Sequence, residues 1–472
     1  MKEIALSPLE LKPEAGIRRT MPRPLHLRPP DYEEKFDSLT VFYDCFASAD
    51  GEWRVLLGPP LLNLETAILP SFPSLFGGES SSQARIVSPS TGDRDHSSAQ
   101  LWFKSTQDSV DLPIAGFRQK QIVVQPNESE LFSGRKVLLT LSKDNEIRWI
   151  RDWVTFFARR HGCDAVLLYD NASTRHNTSE IHDAISSVPG IEATAVVSWP
   201  YKYGPQGSDS YSDLLREESE SPPLPWDSHY CQPGMLEHAR HRFLSDAEAV
   251  VNADIDELVL TKDGEPLFDL VRLSKTGYLR YRGHWIESAT DANVRDQRHF
   301  HFYHRAKVPA RGYLWKWAVV PRRCPQDVSW LPHKISLMKS DPLSSLVSYR
   351  HFRAISTGWK YSRDTTCVPS ESEHAKDEEL EAAMEILKLP EQQALLLGLE
   401  AQLHARGKRI EALAAALETR DEKIRALRIA LAERGANLKG VLRSEIWRAT
   451  APIRGLKRAS AYVQHFLRVR AK

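Results

Sequence analysis

The hydrophobic pattern changes character along the chain. Between about Tyr32 and Lys136 it consists of short runs. Ser38-Leu39-Thr40-Val41-Phe42-Tyr43 and Trp53-Arg54-Val55-Leu56-Leu57 flank Asp50-Gly51, and Gln121-Ile122-Val123-Val124 follows a polar stretch over Ser80–Ser98. These runs predict strands, with a hairpin turning at Asp50-Gly51 and a loop over the polar stretch. From Val137 the runs become continuous. Val137–Leu141 and Ala165–Tyr169 read as strands covered on both faces, and between them Ile147, Ile150, Val154 and Phe157 recur at helical spacing until Gly162, a natural stop. A helix over Ser179–Ser187, a strand at Thr194–Val197, a helix over Gln232–Leu244 and a strand at Glu248–Val251 follow. Strands alternating with helices predict an α/β domain built on a mostly parallel sheet, with binding residues at the carboxyl ends of its strands.

Beyond about Asp364 the pattern becomes polar, then heptadic. Leu403, Ile410, Leu417, Ile424, Leu431 and Leu438 recur every seven residues, while the position three further on alternates Arg406, Leu413, Arg420, Leu427, Arg434. This predicts a long helix, either a solvated amphipathic one or a coiled coil that pairs with itself or a partner. Ala436–Lys472 carries nine Lys and Arg against the single acid Glu445, interleaved with Trp447, Tyr462 and Phe466. That mixture suits an anionic membrane surface. The division expected is an arm at 1–30, a β-rich domain at 31–135, the α/β domain at 136–365, a linker at 366–398, the heptad helix at 399–438 and a basic amphipathic tail at 439–472.

Composition narrows the function. In 472 residues, Lys and Arg number 63 and Asp and Glu 62, a net charge of +1 that excludes a globally basic nucleic-acid binder. No apolar run approaches a membrane span of about 18–20 residues. The amino terminus lacks an apolar leader, and Cys45, Cys163, Cys231, Cys324 and Cys367 are too scattered for a zinc site. A cytoplasmic protein with reduced thiols is expected, peripheral on the inner face of the plasma membrane if the tail docks there.

The chemistry concentrates at three strand ends. Val250-Val251-Asn252-Ala253-Asp254-Ile255-Asp256-Glu257-Leu258 delivers three carboxylates in four residues between apolar runs. Crowded carboxylates repel unless a cation neutralises them, and a hard divalent ion shared with diphosphate oxygens does so. Lys143-Asp144-Asn145-Glu146 closes the first strand of this region and Asp170-Asn171 the second, where a nucleoside would be read. Capping of the following helix and an Asx turn are the plain structural uses of the same residues.

Taken in order, these segments resemble the GT-A glycosyltransferases of the family-2-like and family-92-like group. The resemblance spans about residues 136–365 and rests on Lys143–Glu146, Asp152–Phe157, His161–Ser173 and Asp254–Leu258. Asp144 is an insertion relative to that pattern, and Phe157 stands where it has His. Leu442–Arg454 resembles an S-x-x-W-R-x-T-x-P-[LI]-R element found after coiled coils in bacterial cell-surface glycosyltransferases. The resemblance implies Mn²⁺ or Mg²⁺ held by Asp254, Asp256 and a late histidine, His351 first and His333 second. It implies a nucleotide-sugar donor contacted by Lys143, Asn145, Glu146, Asp170, Asn171 and Asp254, and a glycan or lipid-linked acceptor. It implies inversion, which needs an Asp or Glu as base; Glu287 and Asp291, after the Gly283-His284-Trp285 turn, are the candidates for that role, and Asp256 is expected to be catalytic as well. His299, His301 and His304 are expected at alternate positions of a strand. Two other readings compete: a nucleotidyltransferase, against which the absence of glycine in Leu138–Glu146 counts, and a non-catalytic polysaccharide scaffold.

Overall fold

The continuous apolar runs become buried strands. The computed structural model describes residues 4–68, 84–87, 98–111, 116–205, 228–291, 296–308, 315–355, 357–358, 366–389, 391–450, 452–455 and 457–458. Residues 1–405 form one unit and 406–472 another.

Near the amino terminus, strands β1 (Asp44–Ala47), β2 (Trp53–Gly58), β3 (Ala84–Val87) and β4 (Ala99–Lys104) form an antiparallel sheet in the order β1-β2-β4-β3. The hairpin does turn at Asp50-Gly51, but its first arm is Asp44–Ala47. The run at Thr40–Phe42 instead pairs with Leu9-Glu10. The stretch 80–98, expected as a loop, contains β3.

The large sheet has eight strands: β5 (Lys136–Ser142), β6 (Ala165–Asp170), β7 (Ala193–Ser198), β8 (Ala249–Asn252), β9 (Glu257–Thr261), β10 (Tyr278–Ile286), β11 (Trp315–Val319) and β12 (Val347–Phe352). Its order is β7-β6-β5-β8-β11-β10-β12-β9. The half from β7 to β8 is parallel, as the alternation of strands and helices predicts. The other half is mixed: β8–β11, β11–β10 and β12–β9 run antiparallel and only β10–β12 runs parallel.

Helix α1 (Ile147–His161) buries Trp149, Ile150, Trp153, Val154, Phe156 and Phe157 on one face of this sheet, and Gly162 stops it at φ 70°. Each such side chain contributes roughly 1.5–3 kcal/mol when removed from water. On the other face lies α2 (Cys231–Arg242), which the amino-terminal sheet covers. Tyr43, Phe46, Val55 and Leu57 share a core with Val137, Leu139, Met235 and Trp317, so the β-rich segment and the large sheet have a common interior. A buried polar chain fastens it. The Asp44 carboxylate accepts from the Ser7 amide (2.7 Å), Arg242 Nη1 (2.7 Å) and His238 Nε2 (2.9 Å), and His238 Nδ1 meets the Tyr169 hydroxyl at 2.8 Å.

Residues expected as an arm and as a linker pack instead. Arg19 is buried, donating to the carbonyls of Pro60, Asp37 and Thr40 at 2.5–2.7 Å. A guanidinium so satisfied anchors a Pro-rich segment that has no periodicity of its own. In the stretch 366–398, Glu378–Met384 is a helix whose Leu380, Ala383 and Met384 are buried, and Arg350 binds Asp377 at 2.6 Å and Glu379 at 3.0 Å. Its acidic residues conceal the helical stripe.

The heptad segment lies within one helix, Glu391–Arg443, and Leu403, Ile410, Leu417, Leu431 and Leu438 are exposed along it. Tyr462 and Phe466 of the tail lie outside the described residues. Among the described residues no helix is long and apolar enough to cross a membrane.

Candidate functional site

The acidic run lies between β8 and β9. Asp254 to Asp256 leave the carboxyl end of β8, and Glu257 opens β9 at the far edge of the sheet. Register fixes what Glu257 meets. It pairs with His351 on β12, and His351 pairs with Trp285 on β10. On β10, Tyr281 pairs with Lys316 of β11. Side chains in one cross-strand row share a face, so Glu257, His351, Trp285, Tyr281 and Lys316 converge.

Asp256, Glu257 and His351 each present one ligand atom within 4.8 Å of the others. His351 Nε2 is 3.1 Å from Asp256 Oδ2 and its Nδ1 is 3.8 Å from Glu257 Oε1. The imidazole stacks on Trp285 with centroids 4.0 Å apart, which fixes its plane. Two carboxylates and an imidazole suit a divalent ion of the first transition row, Mn²⁺ included.

Asp254 takes a different partner. The ammonium of Lys316, almost wholly buried, lies 2.8 Å from Asp254 Oδ2 and 3.0 Å from Glu257 Oε2. Asp254 is thus held by an ammonium, while Glu257 joins Asp256 and His351. Three carboxylates face one ammonium here. Burial raises the Glu257 carboxyl to about 7; Lys316 opposes this, and Asp254 adds to it. Lys316 itself is held above its ordinary value, because Asp254 and Glu257 outweigh the cost of burying it. Among the described residues, the Oε1 atom of Glu257 is buried without a hydrogen bond, as is the hydroxyl of Tyr281. A carboxylate pushed up by burial and like charge, with an oxygen unsatisfied, fits a cation between Glu257, Asp256 and His351.

The residues expected at the nucleoside side bind one another. Lys143 Nζ donates to the Asn171 carbonyl (3.0 Å), and Asp144 accepts from the Thr174 and Arg175 amides (2.6 and 3.1 Å). Glu146 pairs with Arg175 at 2.8 Å, and Asn145 Nδ2 donates to Ser142 Oγ at 3.0 Å. Asp144 thus clasps the loop after β5 to the loop after β6, at a positive φ of 54°. Neither Asp144 nor Asn145 caps α1; Glu146 occupies that position, and its side chain makes no capping bond to the helix. Asn171 is buried and spends its amide on the Trp199 and Tyr201 carbonyls, both at 2.8 Å, which joins the ends of β6 and β7. Asp170 accepts from Ser173, and burial raises its carboxyl.

Of the two candidate bases, Glu287 lies 3.1 Å from Arg353, whose guanidinium covers the ring of Trp285 at 4.6 Å. Asp291 is exposed at the edge of the described residues. His333 Nδ1 is engaged with the Trp315 carbonyl at 2.8 Å. His299 and His301 lie in a 3₁₀ turn, with only His304 on a strand; His301 Nδ1 accepts from the Arg298 amide at 3.1 Å and closes the turn, and the Arg298 side chain binds Asp152. His299 Nε2 reaches the Ile255 carbonyl at 2.9 Å and supports the acidic loop from behind.

Lys316 and Trp285 escaped the sequence reading. The signal for Lys316 was present: Trp315-Lys316-Trp317-Ala318-Val319 sets one cation inside a buried strand, and a buried Lys demands partners.

No protein-family model matches the chain, and no curated protein matches it. Solved structures similar to it include the galactosyltransferase LgtC in complex with donor and acceptor sugar analogues. That match has 11% identity and a TM-score of 0.20, over 40% of this chain and 58% of that one. Another is the mannosyltransferase Ktr4p from S. cerevisiae, at 14% identity and a TM-score of 0.19, over 34% of this chain and 40% of that one. The chain therefore spans less than two thirds of either neighbour, and at those scores the function has to be argued from its own residues.

Proposed function

We propose that this protein is a metal-dependent glycosyltransferase of GT-A type, which moves a sugar from a nucleotide-sugar donor to a glycan or lipid-linked acceptor with inversion. The observation that carries the reading is the grouping of Asp256, Glu257 and His351 at the end of the acidic run, with more carboxylate than cation around it. Asp256, His351 and Glu257 would hold Mn²⁺ or Mg²⁺. When bound, the ion supplies Lewis-acid neutralisation of the diphosphate leaving group. Lys316 keeps Asp254 and Glu257 in place, and Trp285 holds the plane of His351. The clasped loops after β5 and β6 lie at the carboxyl ends of neighbouring parallel strands, where a nucleoside binds in open α/β sheets. Glu287 is the base this reading prefers over Asp291, because Arg353 and Trp285 connect it to His351.

Lys316 is shared by Asp254 and Glu257, so the three-carboxylate cluster keeps an excess of negative charge that would repel a diphosphate unless a metal ion joined it. Metal-dependent and metal-independent donor binding are therefore the two outcomes to distinguish. Thermal shift with UDP- and GDP-sugars, in Mn²⁺ and in EDTA, separates the two. Stabilisation by a nucleotide-sugar only with Mn²⁺ supports the metal site; equal stabilisation in EDTA rejects the metal role. No stabilisation by any nucleotide-sugar refutes the transferase.

A further inference from the structure

On the opposite face of the large sheet is a cavity of about 350 Å³ that the carboxylate centre does not use. Its walls are the amino-terminal sheet, helix α2 and residues 321–329. The volume sits at the lower end of the roughly 300–1,000 Å³ typical of small-molecule sites. Trp53 on β2 and Trp102 on β4 line it. The register pairs Val55 with Trp102 and Trp53 with Lys104, so the two indoles lie diagonally on one face of the sheet. Both are half-buried. Trp102 is held in place: its Nε1 donates to Gln100 Oε1 at 3.1 Å and its ring meets His241 edge-on at 5.1 Å.

Behind the indoles is polar machinery of unusual cost. The Glu237 carboxylate is buried, accepting from Gln100 Nε2 at 2.7 Å and from the Trp330 amide at 2.6 Å. Arg240 and His241 each lie 3.4 Å from it. Ser245 Oγ is buried beside the cavity and has no hydrogen-bond partner among the described residues. An unsatisfied buried hydroxyl next to an empty volume points to a ligand that supplies the missing partner.

We propose that this cavity is a carbohydrate site that holds a pyranose ring of a glycan chain. A pyranose offers apolar C–H faces, which the indoles cover, and a rim of hydroxyls that both donate and accept, which Ser245 and His241 match, with the buried Glu237 orienting His241. The site stands whether or not the carboxylate centre transfers sugars.

The test is isothermal titration of the full-length protein, in EDTA and without nucleotide. The probes are maltotriose, cellotriose, mannotriose and triacetylchitotriose, with uridine as the planar competitor. At least one trisaccharide should bind with Kd of about 1 mM or tighter, and Trp102→Ala or Trp53→Ala should weaken it by about tenfold. Trp102→Phe should retain most of the binding and Asp256→Asn all of it. Circular dichroism confirms that each variant folds, and Trp53→Ala carries the test if Trp102→Ala does not. Binding of none of the four, binding indifferent to both tryptophans, or tryptophan-dependent binding of uridine alone overturns the proposal.

Discussion

Lys316→Met should destabilise the protein by roughly 3–5 kcal/mol near pH 8, the usual cost of leaving buried charges without their counter-ion. The side chain is of similar length, so the change removes charge rather than volume. The ammonium lies 2.8 Å from Asp254 and 3.0 Å from Glu257. At an effective dielectric of 20 each attraction is about 6 kcal/mol before desolvation is subtracted. Burying the ammonium consumes much of that, but its removal returns nothing to the carboxylates, which stay where the sheet puts them. The sign with pH follows from Glu257. Its carboxyl is already raised to about 7 by burial, with Lys316 opposing the shift. Acid therefore neutralises Glu257, and the penalty should shrink between pH 8 and pH 5. Mn²⁺ should restore part of the loss, because a cation at Asp256, Glu257 and His351 replaces the missing charge. Urea midpoints at the two pH values, with and without Mn²⁺, measure all of this. A variant as stable as the parent at pH 8 would show that the ammonium is not the counter-ion of this cluster.

Asp256→Asn should leave the urea midpoint within about 1 kcal/mol of the parent, since Asp256 is partly exposed, while sugar transfer falls about 10³-fold or more; an active, folded variant rejects the site. Gly283→Ala should cost about 1–3 kcal/mol or prevent folding, because a Cβ there would lie 2.2 Å from the buried Tyr349 ring; an unchanged melting temperature contradicts the packing. His161 is buried and neutral, taking the Leu267 amide at Nδ1 (3.2 Å) and facing the Val259 carbonyl with Nε2 (2.8 Å). Burial depresses its pKa to about 3. The unfolded chain takes up a proton below about 6.5 that the folded chain refuses, so stability should fall with pH across that window by up to about 1.4 kcal/mol per unit. His161→Gln should flatten the slope, and an identical slope in the variant refutes the assignment.

The parallel half of the sheet was legible because its strands are largely apolar runs and the helices Ile147–His161 and Thr178–Ser186 that cross between β5, β6 and β7 are periodic. The run Val137–Leu141 became Lys136–Ser142, and Gly162 ends its helix as read. The acidic run and His351 were legible as residue types. Their assembly entered only through the resemblance, which joined His351 to Asp254 and Asp256 and left Glu257 out; the residues alone do not give it, because it depends on register between strands almost a hundred residues apart, and a shift of one residue would turn His351 to the other face. The nucleoside-side residues show the converse. Lys143, Asp144 and Asn171 look like ligand contacts in sequence, yet the fold uses them to tie loops, since polar groups at a strand end need partners whether or not a ligand comes. Arg19 was illegible for a different reason. It is one cation in a Pro-rich segment, and only carbonyls from three distant residues make it an anchor.

The position of the site follows from the curl of the sheet. β8 and β9 are joined by only four residues, Ala253 to Asp256, yet β11, β10 and β12 lie between them. In a flat sheet four steps of about 4.8 Å put those strands about 19 Å apart. The five peptide steps from Asn252 to Glu257 span at most about 17–18 Å fully extended, and this stretch is a turn. The sheet must therefore bend towards the acidic run. Bending brings Glu257 within 3.0 Å of Lys316, three strands away, where a flat sheet would separate their backbones by about 14 Å. Tyr281 and Tyr349 fill the concave side, and Gly283 leaves room for the second ring. The short connection thus does what a longer loop would not. It forces the carboxylates, the ammonium and the imidazole onto the inside of one curved surface, so the charge density of the site is a consequence of chain length as much as of composition.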